Sequence, residues 1–598
     1  MSMSRGPHGP TPPPATLPPG KQALLEEAAR ALPARAQEVL GRPTHRALGR
    51  VVRDAVLLLL PGTPVQEVPA QLLRRTAERA LSCLASLQSP GGTFRGGDNV
   101  DSPPDSAFTL NDLAWARTVP GAPAALAPAL DRILDAAMPA LITGGVHTPN
   151  HRWEIASALC RLWQALGHAP ARARAEQWLA EGVDLQPDGM FSERSANYAA
   201  HVSIPALTTM ARILERAELQ DAADLATRCQ AGMTDSRGLV ETLASRRQDQ
   251  FAPFDGGALY PWFRAHAGRT GDPLTARAAL RTQGRAGADA VLTFLAHVAE
   301  DRRALEPMPV PLEDPVPEAP EVITLAESGL VRIDHGSSST VLFGGTDMAR
   351  LGRIASGTSS RPTFARFRGH SVGLREMRLS RDFFSIGPLR LGPPRPVTAA
   401  GDADSPVLSA ASSGSTLRYD LSEEVRAEYF QPLGATERDP AGRYALDFNG
   451  RFAAAMAFSQ RPTQNVSLCT DMRVTSGPGQ LELRWQFYGP ATPVCLLLSF
   501  EGEELAPLLV RDEQGRHVLS PDSSATDETT TARCTVTGEG EQLEITACGA
   551  LGGPAFYDPG EAYTFLGGSD EPDGDVLLVP ASSSTSLTLH LRIRPCHP

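Results

Sequence analysis

Asn150, His151 and Arg152 stand side by side at the start of a helical stretch, "TPNHRWEIASALCRLWQALG" (148–167), and bring an amide, an imidazole and a guanidinium to one place. Thr148 reads as the N-cap and Pro149 as the first helical residue, where its missing N–H costs nothing. The three polar residues then occupy the first turn, where free backbone N–H groups and the helix dipole favour an anion. A carboxylate suits such a place. The core face expected behind them is Ile155, Leu159, Leu162, Trp163 and Leu166.

A second segment, "DGMFSERSANYAAHVSIPALTTMARIL" (188–214), opens on a turn at Asp188 and Gly189, with Phe191 as apolar anchor and Glu193, Arg194 and Ser195 ahead of Tyr198 and His201. On a helix Tyr198 and His201 share a face, although Pro205 places the start of regular helix near Ser203. A phenol and an imidazole in one neighbourhood are the equipment of general acid–base chemistry. A third stretch, "GGTFRGGDNVDSPPDSAFTLNDLAWA" (91–116), carries Asp98, Asn99, Asp101 and Asp105 and reads either as the lining of a cleft or as a solvated helix-capping loop. Arg194, with Arg246 and Arg247 of "SRRQDQ", offers bidentate clamps for carboxylate or sulfate groups, the alternative being a solvated charged face. Trp153 and Trp262 read as sugar-stacking surfaces or as core.

The elements that must position these residues change character once. From Lys21 to residue 305 the apolar spacing is helical, as in "KQALLEEAARAL", "LAPALDRILDAAMPALI" and "TARAALRTQGRAGADAVLTFLAHVAE". Residues 306–322, "EPMPVPLEDPVPEAPEV", are too rich in proline for a helix interior and read as a stiff linker. From 323 to 598 the period falls to two. "QLELRWQFYG" sets Leu481, Leu483, Trp485 and Phe487 on one face, and "SLTLHLRIR" does so with Leu587, Leu589, Leu591 and Ile593. A helical domain followed by a large antiparallel β-sandwich is the fold expected.

Composition narrows the partners. The chain of 598 residues has 56 basic and 68 acidic side chains, a net charge of −12, so no global basic field exists to gather a nucleic acid. Lys21 is its only lysine, which leaves the folded part without a Schiff-base candidate. Eight cysteines without CxxC spacing read as buried small hydrophobes, a disulfide among the last five staying open. Residues 1–20 read as a Pro-rich disordered leader without an apolar signal core, and "AVLLLL" (55–60) is too short to span a bilayer. A cytoplasmic protein without a membrane partner is the expectation.

"NHRWEI" followed by "DGMFSERSANY" resembles the heparinase II/III-like polysaccharide lyases and, more distantly, the hyaluronate, chondroitin and alginate lyases built on a helical toroid. The resemblance implies an incomplete (α/α) toroid followed by an antiparallel β-sandwich, acting on an anionic polysaccharide or oligosaccharide by β-elimination. It implies that Asn150, helped by Arg152 or a protonated Glu193, neutralises the uronate carboxylate, and that Tyr198 protonates the leaving oxygen. His151 is then the leading base, with His201 and His370 behind it. His370 lies in "RFRGHSVGLREMRLSRDFFSIGPLRLG" (366–392), which is similar to the first sandwich strands of the family. The family's Asp shortly after that His is replaced here by Ser371, Val372 and Gly373. No cofactor is called for, and a sandwich metal found in some relatives stays open. Two other classes compete: a toroid glycoside hydrolase pairing Asp105 with Asp188 or Glu193, and a silent glycan-binding protein.

Overall fold

The computed structural model describes residues 17, 19–63, 68–97, 99–309, 320–345, 360–397, 416–449, 452–502, 504–506, 509–521, 531–559, 572 and 574–596. The chain forms two compact units, one reaching to Pro315 and the other running on from Val316. Most of the expected leader, residues 310–319 of the expected linker, and Asp98 lie outside the described residues.

Among the described residues the first unit has twelve helices of eleven residues or more: α1 (Pro19–Gly41), α2 (His45–Leu59), α3 (Ala70–Leu87), α4 (Pro103–Thr118), α5 (Ala127–Thr143), α6 (Pro149–Leu166), α7 (Ala169–Leu179), α8 (Ile204–Leu214), α9 (Ala217–Gly232), α10 (Tyr260–Thr270), α11 (Pro273–Gln283) and α12 (Ala288–Glu300). Helices α2, α4, α6 and α8 are successive neighbours, each backed by the helix that follows it in sequence, while α12 returns to α1 and α2. This is an incomplete (α/α) toroid, with α2, α4, α6, α8 and α12 lining a central cleft. The lone lysine helps close it: the buried Lys21 ammonium donates to the carbonyls of Gln283 and Ala286, tying α1 to the link between α11 and α12.

Two local departures from the sequence pattern have plain causes. The stretch 275–300 breaks into α11 and α12 around Gly284 and Gly287, where glycine favours a turn over a helix interior. Helix α6 was expected to bury one face, but every residue from Trp153 to Leu162 is buried, because an inner helix is packed by neighbours on nearly all sides. It stops at Gly167, which takes the left-handed conformation (φ 73°).

The second unit is a sandwich of an eight-stranded and a nine-stranded sheet, antiparallel except where His517–Val518 runs parallel to Leu577–Leu578. Strand Gln480–Tyr488 buries Leu481, Leu483 and Trp485 as its alternation demands, and Leu587–Pro595 beside it buries Leu587, Leu589 and Leu591. Residues of both sheets share one core, in which the rings of Phe364 and Trp485 meet edge to face at 6.1 Å. The first strand starts at Glu321, two residues inside the segment expected as linker. All eight cysteines are free thiols. No helix among the described residues is long and apolar enough to cross a membrane.

Candidate active site

Helix α6 begins as expected, with Thr148 at the N-cap position and Pro149 in the first turn. The Thr148 hydroxyl, however, caps no backbone N–H; it accepts from Asn150 Nδ2 at 3.3 Å. Asn150 is buried, and the same Nδ2 donates to both carboxylate oxygens of Glu193 at 2.9 Å. Glu193 faces Arg247 at 3.4 Å, and Arg247 in turn donates to the Tyr198 hydroxyl at 3.1 Å while its guanidinium lies 4.7 Å from the centre of the Tyr198 ring. The hydroxyl itself donates to Gln248 Oε1 at 3.4 Å. Three segments far apart in sequence thus meet in one run: Asn150, Glu193, Arg247, Tyr198.

Electrostatics set the charge along that run. Burial pushes the Glu193 carboxyl above its ordinary range, against the opposing pulls of Arg247 and Asn150. Burial, aided by the neighbouring His147, lowers the His151 imidazole to about 4. His151 is therefore neutral near pH 7. Its ring meets that of His147 edge-on at 4.8 Å and that of Phe108 at 6.3 Å.

Tyr198 is held by its own local structure. Ser195 is the N-cap of a short turn, Ala196–Tyr198, and accepts from the Tyr198 backbone N–H at 3.1 Å. Asp249 then anchors that turn, accepting from the Ser195 hydroxyl and the Asn197 backbone N–H, each at 3.0 Å. Residues Ala199–Ser203 continue as a π-helical turn before α8. Pro205 explains it: in a regular α-helix its ring would clash with the carbonyl of His201, and the wider turn removes the clash. One carbonyl in this turn, that of Ala200, accepts from Trp262 Nε1 at 2.9 Å. His201 is left exposed, and both it and Tyr198 line the cleft.

The cleft has a volume of about 1290 Å³. With Tyr198 and His201 it is lined by Arg46, Arg50, Phe108, Asn111, Asp112 and Glu154, among others. Glu154, one helical turn below Asn150, accepts from Asn111 Nδ2 at 2.7 Å, and burial raises its carboxyl to about 8 against the effect of that bond. In the same lining Arg161 of α6 and Arg212 of α8 converge on Glu300 of α12, at 2.8 and 2.7 Å. Burial alone would raise Glu300, but the two guanidiniums outweigh it and hold the carboxyl below its ordinary range.

Several expected ligands of the substrate serve the scaffold instead. Trp153 is fully buried, so it cannot stack on a sugar; its Nε1 donates to Asp184 at 2.9 Å. Arg152 points to the same side, pairing with Glu181 at 2.9 Å and Asp184 at 3.4 Å, away from Asn150 and Glu193. Asp105 is buried with both oxygens engaged, one by Arg46 and the other by the backbone and side chain of Asn99 at 3.0 and 2.9 Å. It shapes the 95–101 loop and the Arg46 side chain rather than binding a sugar. Arg246 bonds the Ser192 carbonyl. Arg194 holds the left-handed position (φ 53°) where the chain reverses between Glu193 and Ser195. Arg247 is in the site, but bonded to Tyr198. Asp188 accepts from the Met190 backbone N–H at 3.1 Å in its own turn.

His370 belongs to the β unit, exposed in the turn between strands Ala365–Arg368 and Gly373–Arg381, where its backbone N–H donates to Glu541 at 2.7 Å. Among the described residues no three of His, Cys, Asp or Glu cluster as metal ligands would, so nothing in the described sandwich fits the metal of some resembling proteins. Sequence reasoning missed Gln248 and Asp249, which adjoin the singled-out Arg247, and also His147, Glu154 and Arg50.

Neither protein-family models nor curated protein sequences match the chain. Solved structures do resemble it in fold. Heparinase III shares 10% identity at a TM-score of 0.44, over 87% of this chain and 74% of its own. A Paenibacillus xanthan lyase shares 9% at 0.49, over 96% of this chain but only 57% of its own. The Streptomyces coelicolor chondroitin AC lyase in complex with chondroitin sulphate shares 12% at 0.36, over 96% of each. A GH127 β-L-arabinofuranosidase is also among the matches. These likenesses concern the fold; the chemistry has to come from the residues.

Proposed function

We propose that the helical unit cleaves a uronate-containing polysaccharide by β-elimination. The observation that carries this reading is the run from Asn150 through Glu193 and Arg247 to Tyr198, which joins a carboxylate-neutralising pair to a phenol that lines the cleft. The reaction removes the proton at C5, forms the C4–C5 double bond and breaks the bond from C4 to the leaving sugar's oxygen. That proton is weakly acidic while the adjacent carboxylate keeps its charge. The Asn150 amide at a helix N-terminus and the Glu193 carboxyl bonded to it, which burial pushes above its ordinary range, neutralise the charge on the uronate oxygens and stabilise the enolate-like state more than the ground state.

Tyr198 delivers a proton to the leaving oxygen, and the charge left on the phenol meets the Arg247 guanidinium already bonded to it. For the C5 proton, His201 stands first among the bases, because it opens on the same cleft as Tyr198. His151, neutral but half-buried against His147 and Phe108, follows it. The test is incubation with hyaluronate, chondroitin, heparosan, alginate and glucuronan, read as unsaturated uronate absorbing in the ultraviolet. Signal from wild-type protein and none from Tyr198→Phe is the expected result; no chromophore from any of the five sinks the reading.

A second reading rests on a different observation. Glu154, protonated near pH 7, and Asp112, also pushed up by burial, line the same cleft, and a pair of carboxyls is what glycoside hydrolysis requires. New reducing ends without unsaturation, lost in Glu154→Gln and kept in Tyr198→Phe, would select it. The pair expected from sequence, Asp105 with Asp188 or Glu193, is committed to loops and to Asn150.

A further inference from the structure

Helix α2 presents Arg46, Arg50 and Arg53 to the cleft at helical spacing, while its other side is packed with Val51, Val52 and Ala55. Most guanidiniums that share the cleft are committed. Arg46 bonds Asp105, Arg53 bonds Asp54 and Asp112, and Arg161 and Arg212 both bond Glu300. Arg50 differs: it is exposed, lines the cleft, and among the described residues makes neither a hydrogen bond nor an ion pair. Asp112 on α4 and His201 of the π-helical turn line the same cleft and are near enough to feel its charge.

A guanidinium left open in a partly enclosed cleft, in a chain of net charge −12, is poised to take a planar anion through two parallel N–H bonds. On the lyase reading the reacting carboxylate has its own neutralising pair, Asn150 at the start of α6 and Glu193 of the turn ahead of Ser195, so Arg50 is free for a different group of the same ligand.

We propose that Arg50 is a specificity-determining residue that binds a second anionic group of the substrate, a carboxylate or sulfate on a sugar other than the reacting one. The inference rests on the lyase reading above and narrows its substrate class: the preferred chain is charged at more than the reacting residue. Desolvation, with a smaller contribution from the Arg50 charge, lowers the His201 imidazole and keeps it available as a base.

The test uses full-length protein carrying Tyr198→Phe, so that binding is read without turnover. Hexasaccharides of hyaluronate, of sulfated chondroitin and of glucuronan are titrated calorimetrically, with and without Arg50→Ala. Arg50→Ala is expected to weaken the best ligand about tenfold or more, Arg50→Lys to restore part of the loss, and added salt to narrow the gap. A loss confined to the sulfated chain identifies sulfate as the second group, and a loss shared by the unsulfated chains identifies carboxylate. Unchanged affinity for every hexasaccharide, or binding of none by the Arg50 protein, overturns the inference. The two readings fail separately. An intact ultraviolet signal with Arg50-independent binding removes only this one, whereas Arg50-dependent binding without unsaturated product from wild-type protein removes the lyase reading. A melting curve within a degree or so of the parent shows that the exposed substitution leaves the fold intact.

Discussion

The toroid holds two glutamate–arginine clusters, one lining the cleft at Glu300 and one buried at Glu193 and bonded through Arg247 to the cleft-lining Tyr198, and they are tuned in opposite directions. Glu300 accepts from two guanidiniums, those of Arg161 and Arg212, and is held below the ordinary carboxylate range although it is buried. Glu193 has Arg247 at a longer 3.4 Å and an uncharged partner in Asn150, and burial wins: its carboxyl is raised. With the same residue types in one ring of helices, the number and distance of the cations decide whether a carboxyl is a locked ion pair or a proton carrier. The first clamps α6, α8 and α12 together. The second adjoins the phenol.

Breaking each cluster should expose that difference. The largest effect is expected from Tyr198→Phe, which removes the hydroxyl that ends the Glu193 run: formation of unsaturated product should fall by about 10²–10⁴-fold with the urea midpoint unchanged. Glu300→Ala should do the reverse. It strands two guanidiniums, one of them buried, and should cost about 3–5 kcal/mol in urea unfolding. Glu193→Gln keeps the shape and should lose under about 1.5 kcal/mol while cutting turnover severely; equal stability losses at the two glutamates would erase the contrast.

The pH dependence of stability sharpens it further. Glu300, lowered in the folded chain, contributes stability that is present above its ordinary value of 4.5 and is lost as pH falls through the lower folded value. Glu154, raised to about 8, contributes stability that is complete below 4.5, declines as pH rises and is gone above about 8. Urea titrations across this range should lose their alkaline decline in Glu154→Gln and keep it in Glu300→Gln. The smallest effect belongs to Arg152→Ala, whose partners lie on the outer side of α6: within about 1 kcal/mol and without change in KM. A rise in KM would return Arg152 to the site.

The two-part fold was legible in the period of the apolar residues, because helix and strand alternate at 3.6 and 2 whatever the protein does. The meeting of Asn150, Glu193 and Tyr198 was legible through motif resemblance. Orientation was not. Arg152 and Trp153 adjoin Asn150 in sequence, yet each helical residue turns about 100° from the last, and these two fall toward Asp184. Asp105 looked like a cleft residue because sequence shows an acid and not the Asn99 loop that surrounds it. The positioning role of Asp249 was hidden for a related reason: nothing local marks a carboxylate whose partners, Ser195 and Asn197, lie two segments back.

The π-helical turn at Ala199–Ser203 makes the bearing of Tyr198 a matter of counting. A π-turn holds one residue more than the α-helix it interrupts, and Pro205 bars the regular helix that would replace it, so removing a single alanine ahead of Pro205 would break the turn and displace Tyr198 from its present bearing. The phenol would then leave the cleft although every side chain of the Asn150 run remained in the sequence. Chain length at this point, as much as residue identity, is what holds the phenol in the cleft.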